Sequence, residues 1–288
     1  MKDETTGGEL PPELTNLAPK WLLNGFPKAG LHFCELMMRP LAKRMPAGQM
    51  HAAPFVGTFA GHSWTTEWTN TELFLYHVAR LQPGHYFYSH IGHQDPIEAF
   101  LYYLGAALIF CIRDFRDVAV SQAFHVTDDS DGLAHPDKDL YHNLGSFDEV
   151  LKAVIVGIDG PKARYAGVMD RWALYAPWVE ADWVYLFRFE RARREPEVVA
   201  AEILEYGIER SAHIFGFELR GEGRGPSFHD IVHQMAETSG QRERSLTFRK
   251  GNVGDWREHF TEEHKRLFKE SDKDGWLVRL GYETSADW

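Results

Sequence analysis

The chain has 288 residues, 44% of them hydrophobic and 25% charged, enough apolar material for a large core and too much for a largely disordered protein. A formal net charge of −11 argues against a general binder of nucleic acid or anionic membrane, because affinity for polyanions rests on clustered lysine and arginine; a local anion pocket stays compatible with it. Its two cysteines, Cys34 and Cys111, lie in apolar stretches, and no basic-then-apolar signal opens the chain, which points to a reduced, cytoplasmic protein.

Residues 1–20 carry Gly7, Gly8, Pro11, Pro12 and Pro19 and read as a flexible arm ahead of one domain over 21–288. Residues 21–26 read as a short buried strand, 27–30 as a turn and 31–45 as a helix. The aromatic segment 62–68 reads as core, with the lining of a ligand pocket as the alternative, and 86–90 as the end of an aromatic strand. Residues 106–112 are continuously apolar, as strands buried on both faces are, and far too few to span a bilayer. A helix follows from Asp117. An aromatic helix over 168–178, a strand over 183–187 and an amphipathic helix over 197–206 continue the pattern, with loops at 127–145 and 221–226. Repeated strand–helix units predict an α/β class: a single domain with a central parallel sheet flanked by helices.

The segment Phe26-Pro27-Lys28-Ala29-Gly30-Leu31-His32-Phe33 follows the first strand. It puts a lysine and a glycine where backbone N–H groups at a helix N-terminus can surround an anion. It lacks the Gly-Lys-Ser/Thr ending that holds magnesium in a Walker loop, which disfavours a P-loop kinase. In the segment from Ile112 to Ser121, Arg113 leaves a strand's carboxyl end and Ser121 lies about two helical turns further on, so both can approach one phosphate. Arg249 and Lys250 bring cations, and Gly251 allows backbone to approach an anion closely. Histidine suits general acid–base work near neutral pH, and His90, in Tyr88-Ser89-His90, and its neighbour His93 are local candidates for a base. A zinc site built from His85, His90 and His93 fails, since strand alternation points them to different faces, and no metal is expected.

These three segments, in this order, resemble the sulfotransferases that use 3′-phosphoadenosine 5′-phosphosulfate (PAPS). The family's donor loop reads approximately Tyr-Pro-Lys-Ser-Gly-Thr-Thr-Trp. Its second segment reads Arg-x-Pro-Arg/Lys-Asp-Val-Ala-Val-Ser, and its third Arg-Lys-Gly-x-x-Gly-Asp-Trp-Lys-x-x-Phe, against Arg249 to Phe260 here. The resemblance implies a P-loop-like phosphosulfate-binding loop. It also implies transfer of a sulfuryl group from PAPS to a hydroxyl or amine of a small-molecule acceptor, with release of 3′-phosphoadenosine 5′-phosphate (PAP).

By the same resemblance, Lys28 contacts the bridging oxygen, Ala29, Gly30, Leu31 and His32 surround the 5′-phosphosulfate, and Phe33 packs on adenine. Arg113 and Ser121, with Phe248, Arg249, Lys250 and Gly251, hold the 3′-phosphate end, and His90 is the base. This chain departs from the pattern at Ala29, at Leu31-His32 in place of the hydroxyl pair, and at Tyr88 in place of a lysine. Those departures keep open a catalytically impaired PAP/PAPS-binding protein. Phe187-Arg188-Phe189-Glu190 and Pro196 resemble the strand-end Arg-Tyr-Glu-Asp stretch, with Phe189 lacking the tyrosine hydroxyl. After Phe268 nothing clearly matches the family's dimerisation segment, so monomer and homodimer both stay open.

Overall fold

The computed structural model describes residues 19–44, 71–127, 138–160, 164–215, 228–240 and 251–288. The expected ligands Phe248, Arg249 and Lys250, the aromatic segment 62–68 and the loop 221–226 lie outside the described residues. So do residues 1–18 of the expected arm.

The chain opens with β1 (Trp21–Gly25), α1 (Leu31–Met38), β2 (Lys43–Arg44), α2 (Thr71–Arg80), β3 (His85–Ser89), α3 (Asp95–Leu104), β4 (Ala107–Ile112) and α4 (Phe115–Thr127). Then come α5 (Lys138–His142), α6 (Phe147–Val156), the antiparallel pair β5 (Gly157–Asp159) and β6 (Arg164–Ala166), α7 (Val168–Trp172), α8 (Pro177–Glu180) and β7 (Tyr185–Arg188). The chain continues through α9 (Phe189–Arg194), α10 (Pro196–Phe215), α11 (Phe228–Gly240), α12 (Trp256–His259), α13 (Glu262–Ser271) and α14 (Trp276–Arg279).

Five strands form one parallel sheet in the order β2-β3-β1-β4-β7. Side chains alternate across it. Leu22, Phe87, Leu108, Phe110 and Ile112 face one core with Ile97 and Leu101 of α3, Val118 of α4 and Leu151 of α6. Trp21, Leu23, Tyr86, Ile109, Cys111 and Phe187 face a second core with Cys34 and Met37 of α1, Ile203 of α10 and Met235 of α11. Helices on both faces explain why 106–112 is apolar without a break. Cys34 and Cys111 are both free and buried.

Several boundaries differ from the sequence reading, each for a local reason. α1 stops at Met38, well short of 45, because Pro40 has no N–H to continue the ladder; Leu41 and Ala42 bond to the Met38 carbonyl instead. The helix expected over 168–178 is two short ones, α8 starting afresh with Pro177 in its first turn. α4 begins at Phe115, two residues early, because the Asp114 carboxylate accepts the Arg116 N–H at 3.0 Å, as a capping residue does.

The register carries the functional consequence. Asn24 is level with Ser89, Gly25 with Cys111, and Cys111 with Phe187. The segments leaving these parallel strands, with Lys28, His90, Arg113 and Phe189, therefore emerge at the same edge of the sheet. In open α/β sheets the crevice at the strands' carboxyl ends is where ligands bind.

Candidate functional site

The loop after β1 is held in a conformation that side chains avoid. Lys28 has φ 69° and Gly30 φ 95°, both left-handed. For a lysine that backbone costs about 1–2 kcal/mol. At Gly30 nothing but hydrogen fits: a Cβ there would lie 2.4 Å from the Phe189 ring. Gly30 also begins α1 without any side-chain cap, so the positive end of that helix is left to another acceptor.

His90 is fixed from both sides of its peptide plane and at its ring. The Asn24 amide donates to the Ile91 carbonyl at 2.9 Å, and its oxygen accepts the Ile91 N–H at 2.9 Å. Trp178 Nε1 donates to the same carbonyl at 3.1 Å, and the Tyr175 hydroxyl donates to the His90 carbonyl at 3.0 Å. The ring's Nδ1 sits 2.7 Å from the Gly25 carbonyl oxygen. A carbonyl only accepts, so the neutral ring carries its proton on Nδ1 and its lone pair on Nε2. Burial pushes the imidazole down to about 4, opposed by the Gly25 bond and assisted by the nearby charges of His32 and Lys28. That electrostatic reach brings the lysine loop and the histidine into one site. His93 is engaged elsewhere: its Nε2 meets Glu98 at 2.5 Å, its ring packs on Trp178, and Trp183 holds the other Glu98 oxygen at 3.0 Å.

Arg113 leaves β4 and is buried, its terminal nitrogen donating to the Asn252 carbonyl at 2.6 Å and lying 3.5 Å from Asp117. Its guanidinium stacks 4.7 Å from the centre of the Phe189 ring, and its Nε has no hydrogen-bond partner. Asp117 accepts the N–H groups of Gly254 at 2.8 Å and Trp256 at 2.9 Å. A carboxylate one turn into α4 thus docks the segment 251–256, including left-handed Gly251, beside Arg113. Burial raises the Asp117 pKa, partly offset by Arg113 and these two N–H groups.

Arg116, one turn away, is structural: Asp114 and Glu283 hold it, and it lies between the Trp256 and Trp288 rings at 3.9 and 4.4 Å. Ser121 is partly buried on α4. Phe33 packs against Phe187 and Phe189, with the Arg193 guanidinium 5.4 Å above its ring. Asp255, Glu258 and His259 are the one trio among the described residues whose potential ligand atoms lie within 4.8 Å of each other.

The sequence singled out Lys28, Gly30, His90 and Arg113, and the fold gathers them at one sheet edge. It did not point to Asn24, Tyr175 or Asp117, which position them. Asn24 carried a readable signal, a lone amide inside an apolar strand, which must find a partner when buried. Tyr175 acts across 85 residues of sequence and carried none, while Asp117, acting across 137, stood inside the second motif without a role attached.

A sulfotransferase domain family matches residues 19–273. No curated protein sequence matches the chain. Among solved structures, a mouse sulfotransferase SULT7A1 complexed with PAP is similar at 16% identity, covering 92% of this chain and 89% of that one, with a TM-score of 0.52. A retinol dehydratase in complex with androsterone and inactive cofactor PAP is similar at 12% identity, over 88% of this chain and 80% of that one, with a TM-score of 0.47. The family match spans most of the sequence and the mouse enzyme shares the fold, so the chain belongs to the sulfotransferase family.

Proposed function

We propose that this cleft transfers a sulfuryl group from PAPS to the hydroxyl of a small-molecule acceptor, releasing PAP, with His90 as base and Lys28 stabilising the departing phosphate. The observation that carries this reading is the His90 ring, locked through Nδ1 to Gly25 and kept neutral beside Lys28. The cleft also suits a ligand with two anionic ends. Near Lys28 lie the left-handed loop and the uncapped α1 terminus. At Arg113 a buried Nε still lacks an acceptor.

The donor supplies a sulfuryl group already attached to a phosphate leaving group. Ala29, Gly30, Leu31, His32 and Phe33 are assigned to its 5′ side, and Arg113, Ser121, Phe248, Arg249, Lys250 and Gly251 to its 3′-phosphate end. The Lys28 ammonium offsets the charge that develops on the bridging oxygen. His90 takes the acceptor's proton on Nε2. Negative charge arriving beside Lys28 cancels one cause of the depressed His90 pKa, so the base strengthens when the donor is in place. The mouse relative's PAP complex supports the choice of donor. We place the protein in the cytoplasm; among the described residues no helix is long and apolar enough to cross a membrane.

The test is PAP release from PAPS across a panel of phenols and alcohols, with Lys28→Ala and His90→Asn alongside. Turnover that falls about 10²- to 10⁴-fold in His90→Asn supports the assignment. A panel with no PAP release in the wild type, despite PAP binding, would show a donor-binding protein without transferase activity.

A further inference from the structure

Four arginines are buried in the described structure, and three have oxygen partners. Arg113 has Asn252 and Asp117, Arg116 has Asp114 and Glu283, and Arg210 has the carbonyls of Ala106 and Tyr102. Arg171, on α7, is the exception. It is 4% exposed, its Nε is sealed without a hydrogen bond, and no carboxylate pairs with it among the described residues. Its surroundings are aromatic: the guanidinium lies 5.7 Å from the Phe26 ring centre, and the phenols of Tyr141 and Tyr175 act on it electrostatically. A guanidinium removed from water without an anion is costly, and a counter-charge brought by a ligand would offset that cost.

The position says which ligand brings it. Phe26 leads directly into the Lys28 loop, and its ring meets that of Tyr175 at 5.3 Å. The Tyr175 hydroxyl in turn supports the His90 backbone. Arg171 therefore shares one aromatic wall with the base and the lysine loop, on the opposite sheet face from α1 and α10.

We propose that Arg171 binds a carboxylate on the acceptor, so that the sulfuryl group passes to the hydroxyl of a small hydroxy acid. This rests on the reading of the cleft as a sulfotransferase active site. A carboxylate matches the guanidinium fork with two parallel N–H···O bonds. One negative charge neutralises one buried cation, whereas a dianion would leave excess charge in a protein already at −11.

The experiment compares acid and neutral partners of the same shape: 4-hydroxybenzoate and 4-hydroxyphenylacetate against their methyl esters. Binding to the PAP complex is measured by calorimetry in Tris–chloride, which avoids anionic buffers. At least one acid should bind the wild type tenfold or more tightly than its ester, and Arg171→Met should erase that preference while leaving PAP affinity unchanged. Methionine keeps the length without the charge, so the variant should melt no lower than the wild type; Arg171→Gln serves if it does not fold. For an acid that turns over, the substitution should raise its KM far more than it lowers kcat. Equal binding of acids and esters by the wild type, or a preference that survives in the variant, overturns the proposal. Loss of PAP affinity in Arg171→Met also overturns it and assigns the residue to the donor. If the wild type does not bind PAP at all, the donor reading fails, and the same acid–ester comparison on the free protein still decides the role of Arg171.

Discussion

Replacing His90 with asparagine should change how stability depends on pH, because the imidazole titrates well below its ordinary range in the native state. Asparagine keeps an N–H donor for the Gly25 carbonyl but does not titrate. In the wild type, His90 is lowered from 6.5 to about 4, chiefly by burial. Between those values the unfolded chain binds a proton that the native state refuses. The stabilising contribution is therefore complete above about 6.5 and is lost as pH falls toward 4. At about 1.4 kcal/mol per pH unit the full effect is about 3 kcal/mol, of which about 2.5 kcal/mol falls between pH 7.5 and 4.5. Urea unfolding of both proteins at a series of pH values measures the difference directly, and other titrating groups cancel because both proteins share them. The wild type should lose about 2.5 kcal/mol relative to His90→Asn across that range. Curves that stay parallel to within about 0.5 kcal/mol would refute the half-buried, neutral histidine and with it the argument for Nε2 as the base.

Two further substitutions separate strain, docking and chemistry. Lys28→Gly relaxes a left-handed residue and should raise stability by about 1 kcal/mol in denaturant unfolding while removing sulfuryl transfer; a loss of stability would mean that the Lys28 backbone is not strained. Asp117→Ala releases the N–H groups of Gly254 and Trp256, so calorimetry should show PAP affinity reduced at least tenfold although Asp117 has no assigned donor contact; unchanged affinity would separate the docked loop from the 3′-phosphate site.

The sheet and its functional edge were legible because they rest on local pattern. The continuous apolar run at 106–112 and the short, largely apolar segment at 21–26 read as buried strands, and the turn after each displayed its charged residue in a short motif. The helix ends were partly legible as well: Pro40, Asp114 and Pro177 mark the stop of α1 and the starts of α4 and α8. Reading periodicity ahead of these punctuating residues produced the overlong helices. What could not be read is whatever depends on contact across the fold. The Asn24 grip on Ile91 spans 67 positions, and Arg171 is set apart by having no carboxylate partner among the described residues. In sequence, Arg171 is one of three charged or aromatic residues in Asp170-Arg171-Trp172 and gives no hint of being buried.

The central claim is that one cleft at the sheet edge holds PAPS by both ends, with Arg113 on the 3′-phosphate. Titration of the wild type and Arg113→Ala with PAP and with adenosine 5′-phosphate, which lacks that phosphate, tests it most directly. The wild type should bind PAP at least tenfold more tightly than adenosine 5′-phosphate, and Arg113→Ala should bring the two affinities together by weakening PAP alone. Equal affinities in the wild type, or a preference for PAP that persists in Arg113→Ala, would contradict the account.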